Sequence, residues 1–296
     1  MNKRIENKKD GLITALDYKR PSVKIAYWLL ILFLVLCSVI ALFPVLWAFL
    51  SGFKELDEYY SVNPALLPKA IDLKKMATIA KQLKLARAFI NSMIIFVGYW
   101  IGEIIIGGLA GYTISRLKPR GSKFLFTLML WTMMMPQTLT MVPMFMTWTD
   151  FPIIHINFQN TFIPLWAGSM SSIFHILIFK NFFDSIPNSY IESAKLDGCS
   201  NVGIFLRIVV PLSKPIISTV TVFVFNFTWN NFIGPFLYLK DINLAPVALR
   251  LYTAGSQWTE PEQMLAAFIV MVPSVIVFLF CSRQIMGNNV SVGVKG

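Results

Sequence analysis

Six long apolar runs constrain this chain more than any other feature. They lie at about residues 25–50, 90–114, 124–148, 161–179, 215–239 and 264–282. A helix needs about 20 apolar residues to cross the hydrocarbon core of a bilayer. No water is present there to satisfy the backbone, so only helices and closed barrels span it, and runs of this length call for helices. The expected fold is therefore all-α, a polytopic membrane protein of six transmembrane helices. Composition agrees: 56% of residues are hydrophobic and only 14% charged, with a mean hydropathy of +0.63. A net charge of +11 would point to nucleic acid in a soluble chain. Here it reads as loops facing anionic membrane lipid, with no nucleic-acid partner.

The organisation follows from the runs. Residues 1–24 form a basic tail, 25–286 a six-span domain and 287–296 a short second tail. The polar start precedes an apolar run longer than a cleavable signal's core, so that run is expected to be retained as the first span. Six spans place both tails on one side. If that side is the cytoplasm, the tails and the loops facing it hold 17 of the 26 lysines and arginines, as the positive-inside rule requires. The three cysteines, Cys37, Cys199 and Cys281, are scattered and imply neither a disulfide framework nor a metal set. Between them Lys74 and Arg87 bound an amphipathic stretch expected to lie on the surface.

One polar island interrupts the apolar pattern, PNSYIESAKLDGCSNVGIFLRIVVP at 187–211. Ser185 is placed to cap a helix with Pro187 in its first turn, where a missing N–H costs nothing. That helix is expected to run through Glu192 and Ala194 and stop at Gly198, a residue suited to the left-handed conformation beyond a helix end. Ser200 is placed to cap a second helix carrying Ile204, Phe205 and Ile208, ended by Pro211. The product, counted from residue 184, is a helix–turn–helix at the cytoplasmic surface. Small residues, Ser193 and Ala194, stand where a partner can approach closely.

The island's spacing resembles the EAA motif of ABC-transporter permeases: Glu-Ala-Ala, three residues, Gly, nine residues, then Ile-x-Leu-Pro. Glu192, Ala194, Gly198, Ile208 and Pro211 fall in register, while Ser193 replaces the middle alanine and Val210 the leucine. The likeness extends over roughly residues 20–296. Asn91-Ser92, the turn from Arg116 to Gly121, and Trp229-Asn230 with Pro235 resemble the sugar-transporter branch, the maltose-type second permease. So do Trp258, Ala266-Ala267, Pro273, Arg283 with Gly287, and the final Gly293 to Gly296. The resemblance implies a subunit of a binding-protein-dependent carbohydrate importer in a bacterial inner membrane. It implies a sister permease, two ATPase subunits and an extracellular solute-binding protein. Glu192 would then meet a basic group on the ATPase, Ser193 and Ala194 would allow close packing, and Gly198 would set the angle between the short helices. No Gly-x-x-x-x-Gly-Lys-Ser/Thr loop occurs, so ATP and Mg are expected on the separate ATPase and no cofactor on this chain.

Candidates for a sugar pathway sit within the runs. Phe225, Asn226, Trp229, Asn230 and Asn231 combine amides with aromatic faces, the pairing that binds sugars. Helical periodicity puts Asn226 and Asn230 on one face, flanked by Trp229 and Asn231. Interhelical hydrogen bonding explains the same amides. Glu103, the sole acid of the second run, either lines the pathway or is a protonated acid bonded to a neighbouring helix. A further alternative puts it at an end of the span, closer to water than the run suggests. His175 follows Ser171 by one turn, and a packed or pore-facing role suits it better than a catalytic one. Gly98 with Gly102 and Gly107 with Gly111 are small-residue pairs suited to close helix packing. Seven of the fourteen methionines cluster between Met129 and Met146 around Pro136 and Pro143, where a span that flexes would break its ladder.

Two other classes fit less well. A secondary transporter is expected to show an inverted repeat and paired intramembrane charges, and Glu103 alone is thin support. An intramembrane enzyme needs a nucleophile or metal constellation, which two histidines and dispersed cysteines do not make. An ABC importer for another solute class is the nearer rival, opposed by the matches in the fifth run and near the C-terminus.

Overall fold

A computed structural model describes residues 21–287 apart from 64, 137 and 168–171. Most of the two expected tails, the Gly168-Ser169-Met170-Ser171 stretch and the Gly293–Gly296 match lie outside the described residues. Every regular element within them is helical. Helix α1 covers Pro21–Gly52, α2 Leu73–Gln82 and α3 Leu85–Leu117. Helices α4 and α5 cover Ser122–Met133 and Thr138–Thr149, and α6 and α7 cover Ile163–Ala167 and Ile173–Ser185. The polar island gives α8, Asn188–Leu196, and α9, Asn201–Leu212. Helix α10 spans Lys214–Asn230, α11 Ile233–Tyr238, α12 Val247–Gly255 and α13 Glu260–Gly287.

Three of these, α1, α3 and α13, are each long and apolar enough to cross a membrane unbroken. The other three expected spans are interrupted. The third is two helices, α4 and α5, parted around Pro136, which cannot donate to the ladder. The fourth is α6 and α7, on either side of residues 168–171. The fifth ends at Asn230 rather than near Leu239, because Asn231 is extended; its Oδ1 accepts from Gly234 N, in the first turn of α11, at 3.1 Å. Helix α2 starts where Asp72 accepts from Lys74 N at 2.8 Å, and it buries Ile79.

Helix α1 packs on α13, α13 on α10, and α10 on α3, while the second half of α3 lies against α7. Three glycines permit the closest approaches, among them Gly52, where a Cβ would sit 2.6 Å from Leu265 Cβ of α13. A Cβ on Gly111 would sit 2.7 Å from Phe179 Cβ, and one on Gly98 would sit 2.4 Å from the Trp166 ring. Gly107, expected to share that role, has only ordinary contact distance, 3.5 Å, to Phe179. At the far end of α3, Asn91 Nδ2 donates to the carbonyls of Asn243 and Ala245, at 2.8 and 3.2 Å, and Ser92 Oγ accepts from Val247 N at 2.9 Å. The Asn91-Ser92 pair thereby pins the segment leading into α12.

Candidate functional site

The island forms the helix–turn–helix its sequence calls for, with two changes at its edges. Ser185 does not cap α8. It ends α7, its hydroxyl donating to Phe182 O at 2.7 Å, and α8 begins at Asn188 after Pro187. Gly198 holds φ at +77°, the left-handed conformation that stops α8 and lets Cys199 N reach Ala194 O at 2.9 Å. Ser200 Oγ accepts from Gly203 N at 3.1 Å and caps α9. Pro211 does not end α9, which runs on to Leu212 before the break at Ser213. The turn before it, Phe205–Val209, is π-helical. That wider turn shifts the carbonyl register around a residue with no N–H to give.

The two short helices share a shallow groove lined by Ser189, Tyr190, Ser193, Ala194, Asp197 and Ile208, about 450 Å³ in volume. Ser193, Ala194 and Ile208 therefore come together. Glu192 is exposed beside the groove, Gly198 forms the turn, and Pro211 lies apart at the end of α9. Sequence reading passed over Tyr190 and Asp197 in the groove wall and Leu196, which is 90% exposed. A large apolar side chain bare in a polar island was the signal available for Leu196.

The inner faces of α8 and α9 enter the core. Ile191, Ala194, Ile204 and Val209 belong to one buried cluster with Tyr112 of α3, Phe179 and Phe183 of α7, and Val220 and Val224 of α10. A push on α8 is thus felt by three spans at once, since such interiors are close-packed.

Arg116, at the end of α3, adds a polar tie. Its guanidinium donates to the carbonyls of Phe183 and Ile186 and to Asn188 Oδ1. The last carbonyls of a helix have no partner within it and carry the negative end of its dipole, so a forked cation suits them. One residue earlier, Ser115 Oγ donates to Asp184 Oδ1 at 2.6 Å, and Lys180 Nζ lies 2.7 Å from Asp184 Oδ2. Burial by itself raises the Asp184 carboxyl, but the Lys180 and Ser115 donors and the nearby Lys118 charge outweigh it and hold the group below the usual carboxylate range. A carboxyl lowered by folding stabilises above its unfolded pKa and loses that contribution as pH falls through the folded value. The wild-type melting temperature should hold from neutral pH down to about pH 4 and then fall more steeply than that of Asp184→Asn. Parallel curves would remove Asp184 as a stabilising carboxylate.

The expected pathway residues divide. Asn226 and Asn230 are exposed on one face of α10, their amides bonded back to Val222 O and Asn226 O at 3.2 and 2.8 Å. Trp229 is not on that face. It is buried, donates from Nε1 to Val270 O at 2.9 Å, and stacks on Phe225 with ring centroids 5.1 Å apart. Periodicity placed Trp229 beside the asparagines, but the neighbouring α13 decides which side of α10 is covered. Asn231 accepts from Gly234 N in the first turn of α11.

Glu103 is fully buried and does not line open space. It faces α7, with Oε2 at 3.2 Å from His175 Nδ1 and Oε1 accepting from Ser172 N at 3.4 Å. The Glu103–His175 approach is close, yet it is poorly aligned for a hydrogen bond, so neither of those two atoms is satisfied by one. It is a close polar contact joining α3 to the start of α7. Among the described residues, no group of His, Cys, Asp and Glu is arranged to hold a metal.

Comparison with known proteins bears on this arrangement. Residues 103–290 match the family described as "binding-protein-dependent transport system inner membrane component". The chain is 26% identical over 283 residues to the arabinooligosaccharides transport system permease protein AraQ of Halalkalibacterium halodurans, covering 94% of this chain and 100% of that one. It is 26% identical to the polygalacturonan/rhamnogalacturonan transport system permease protein YtcP of Bacillus subtilis, covering 89% and 96%. It is 28% identical to the trehalose transport system permease protein SugB of Mycobacterium tuberculosis, covering 86% and 93%. Among solved structures, a chain of a bacterial ABC transporter involved in the import of the acidic polysaccharide alginate superposes with a TM-score of 0.72. That likeness covers 89% of this chain and 98% of the other, and at 20% identity it concerns the fold.

Proposed function

This chain belongs to the family of binding-protein-dependent transport system inner membrane components, and from that membership we propose that it forms half of the carbohydrate pathway of an ATP-driven importer. The substrate class is an oligosaccharide, the reading favoured by relatives that are permeases for arabinooligosaccharides, polygalacturonans and trehalose. A sister permease supplies the other half of the pathway. Two ATPase subunits, carrying ATP and Mg, dock from the cytoplasm on residues 184–211, and an extracellular solute-binding protein delivers the sugar. The chain itself makes and breaks no covalent bond. Both termini lie in the cytoplasm, the orientation favoured by the distribution of basic residues. Asn226 and Asn230, exposed on α10, present amides to the sugar.

One observation carries the coupling: the buried cluster that joins α8 and α9 to α3, α7 and α10. Closure of the ATPase dimer moves the groove at Ser193, Ala194 and Ile208, and the shared core turns that movement into rotation of the spans. Glu192 offers an exposed carboxylate to a basic group at the rim, and Ala194 keeps the approach close.

Purification of the tagged chain from its native membranes in mild detergent tests this. The wild type should bring down a P-loop ATPase and a second permease. Glu192→Arg should keep the permease and lose the ATPase. Gly198→Pro should lose it too, since proline cannot adopt a φ of +77°. Should that variant fail to accumulate, the exposed Glu192 substitution still decides. An ATPase retained by Glu192→Arg overturns the docking assignment, and uptake confined to amino acids or ions overturns the carbohydrate assignment.

A further inference from the structure

The described chain has three π-helical stretches, Glu103–Gly107, Thr113–Leu117 and Phe205–Val209. All three border one groove, between the second half of α3 and the helix pair α9–α10, with Phe179 and Phe183 of α7 also lining it. Its volume is about 440 Å³, within the range of about 300–1,000 Å³ common for small-molecule sites. No charged side chain lines it. Isolated π turns concentrate at functional sites, and three at one groove mark it as a feature of the fold rather than a packing defect.

The rim supplies what the walls lack. Three lining residues, Leu117, Leu206 and Ser213, are each followed directly by a cation: Lys118, Arg207 and Lys214. All three cations are exposed, and among the described residues none is in an ion pair. Lys118 acts on the Asp184 carboxyl, but Lys180 already pairs with that group. An apolar groove between helices, with an exposed basic residue directly following each of three lining residues, matches a molecule having a hydrocarbon tail and an anionic head.

We propose that the groove binds an anionic phospholipid of the bilayer, one acyl chain lying along Ile105, Leu109 and Phe205 and the phosphate meeting Lys118, Arg207 and Lys214. The lipid is then a wedge between α3 and the helix pair that faces the ATPase, so its presence sets how firmly α9 is braced. The site itself rests on the membrane location alone. Only its effect on transport depends on the coupling described above.

The whole complex, purified in mild detergent, is exposed to phosphatidylglycerol and phosphatidylcholine of identical chains, and retained lipid is counted by native mass spectrometry. Phosphatidylglycerol should be retained about a hundredfold over phosphatidylcholine, as expected of three charges that each contribute about fivefold to anionic-lipid binding. The double variant Lys118→Gln/Arg207→Gln should lower that preference to about fivefold, the share of Lys214. Gly108→Trp should abolish retention of both lipids, because a Cβ at Gly108 meets nothing within 4 Å and the ring projects into the groove. Equal retention of the two lipids by the wild type overturns the anionic site. A photo-crosslinker at Leu109 that captures the sister permease instead of lipid overturns the lipid as occupant. Retained lipid is counted whether or not an ATPase co-purifies, so failure here and failure of the docking assignment are separable.

Discussion

On the proposed coupling, Arg116→Ala is expected to uncouple transport: sugar uptake should fall at least tenfold while ATP hydrolysis by the proposed partner continues. The guanidinium is the polar tie between α3, the end of α7 and the first residue of α8, donating to Phe183 O, Ile186 O and Asn188 Oδ1. Alanine takes the charged donor from Ile186 O and Asn188 Oδ1 and leaves Phe183 O with the Ile186 N–H alone, at a half-buried site. Hydrogen bonds to charged groups contribute about 1.5–3 kcal/mol each, so the junction loosens by several kcal/mol. The apolar cluster around Phe179 and Ile204 still holds the helices near one another, so the chain folds but transmits movement poorly. Arg116→Lys should recover only a part of the uptake, because one ammonium cannot span three acceptors as a planar fork does. Uptake and ATP hydrolysis measured in the same proteoliposomes distinguish the outcomes. Uptake at the wild-type rate in Arg116→Ala would show that the apolar contacts alone carry the coupling.

Much of this junction was legible in the sequence, and the boundary between read and unread has a physical basis. Gly198 and Ser200 were read correctly because their roles are local: a positive φ and a cap three residues from its partner. Arg116 was noticed only within a basic turn, since its acceptors lie about 70 residues away and only packing of α3 on α7 brings them within reach. Ser185 was misplaced for the same reason. Local rules allow it to start a helix before Pro187, but α7 runs on through it and ends where Arg116 takes its carbonyls. Pro211 stops an ideal helix, yet the π turn at Phe205–Val209 carries α9 past it, and nothing in the local sequence announces that wider turn. Trp229 shows a different limit. The period of 3.6 sorted α10 into faces correctly, grouping Asn226 with Asn230, but it does not say which face meets α13. The contact with Val270 decides that, and it buries the tryptophan.

Glu103 and His175 offer the second large effect, because their cost should appear only when one is removed without the other. The Glu103 side chain is fully buried and that of His175 is 7% exposed. Each is therefore a principal polar neighbour of the other, with the Ser172 N–H the further donor to Glu103. Stranding one buried polar group by removing its neighbour costs about 1–3 kcal/mol, whereas apolar replacement of both is often close to neutral. His175→Phe and Glu103→Met should each lower the melting temperature of the purified complex sharply. The double variant should lie nearer the wild type than either single variant, a non-additivity that a double-mutant cycle reads directly. The location sharpens the expectation. Glu103 opens a π-helical stretch of α3, and Ser172, whose N–H its other oxygen accepts, immediately precedes α7. The pair consequently fixes how the second half of α3 registers against α7, upstream of the Arg116 tie on the same two helices. If the single costs simply add in the double variant, the two residues do not compensate one another. Close packing at Gly111, where the α3 and α7 backbones meet, would then set that register by itself.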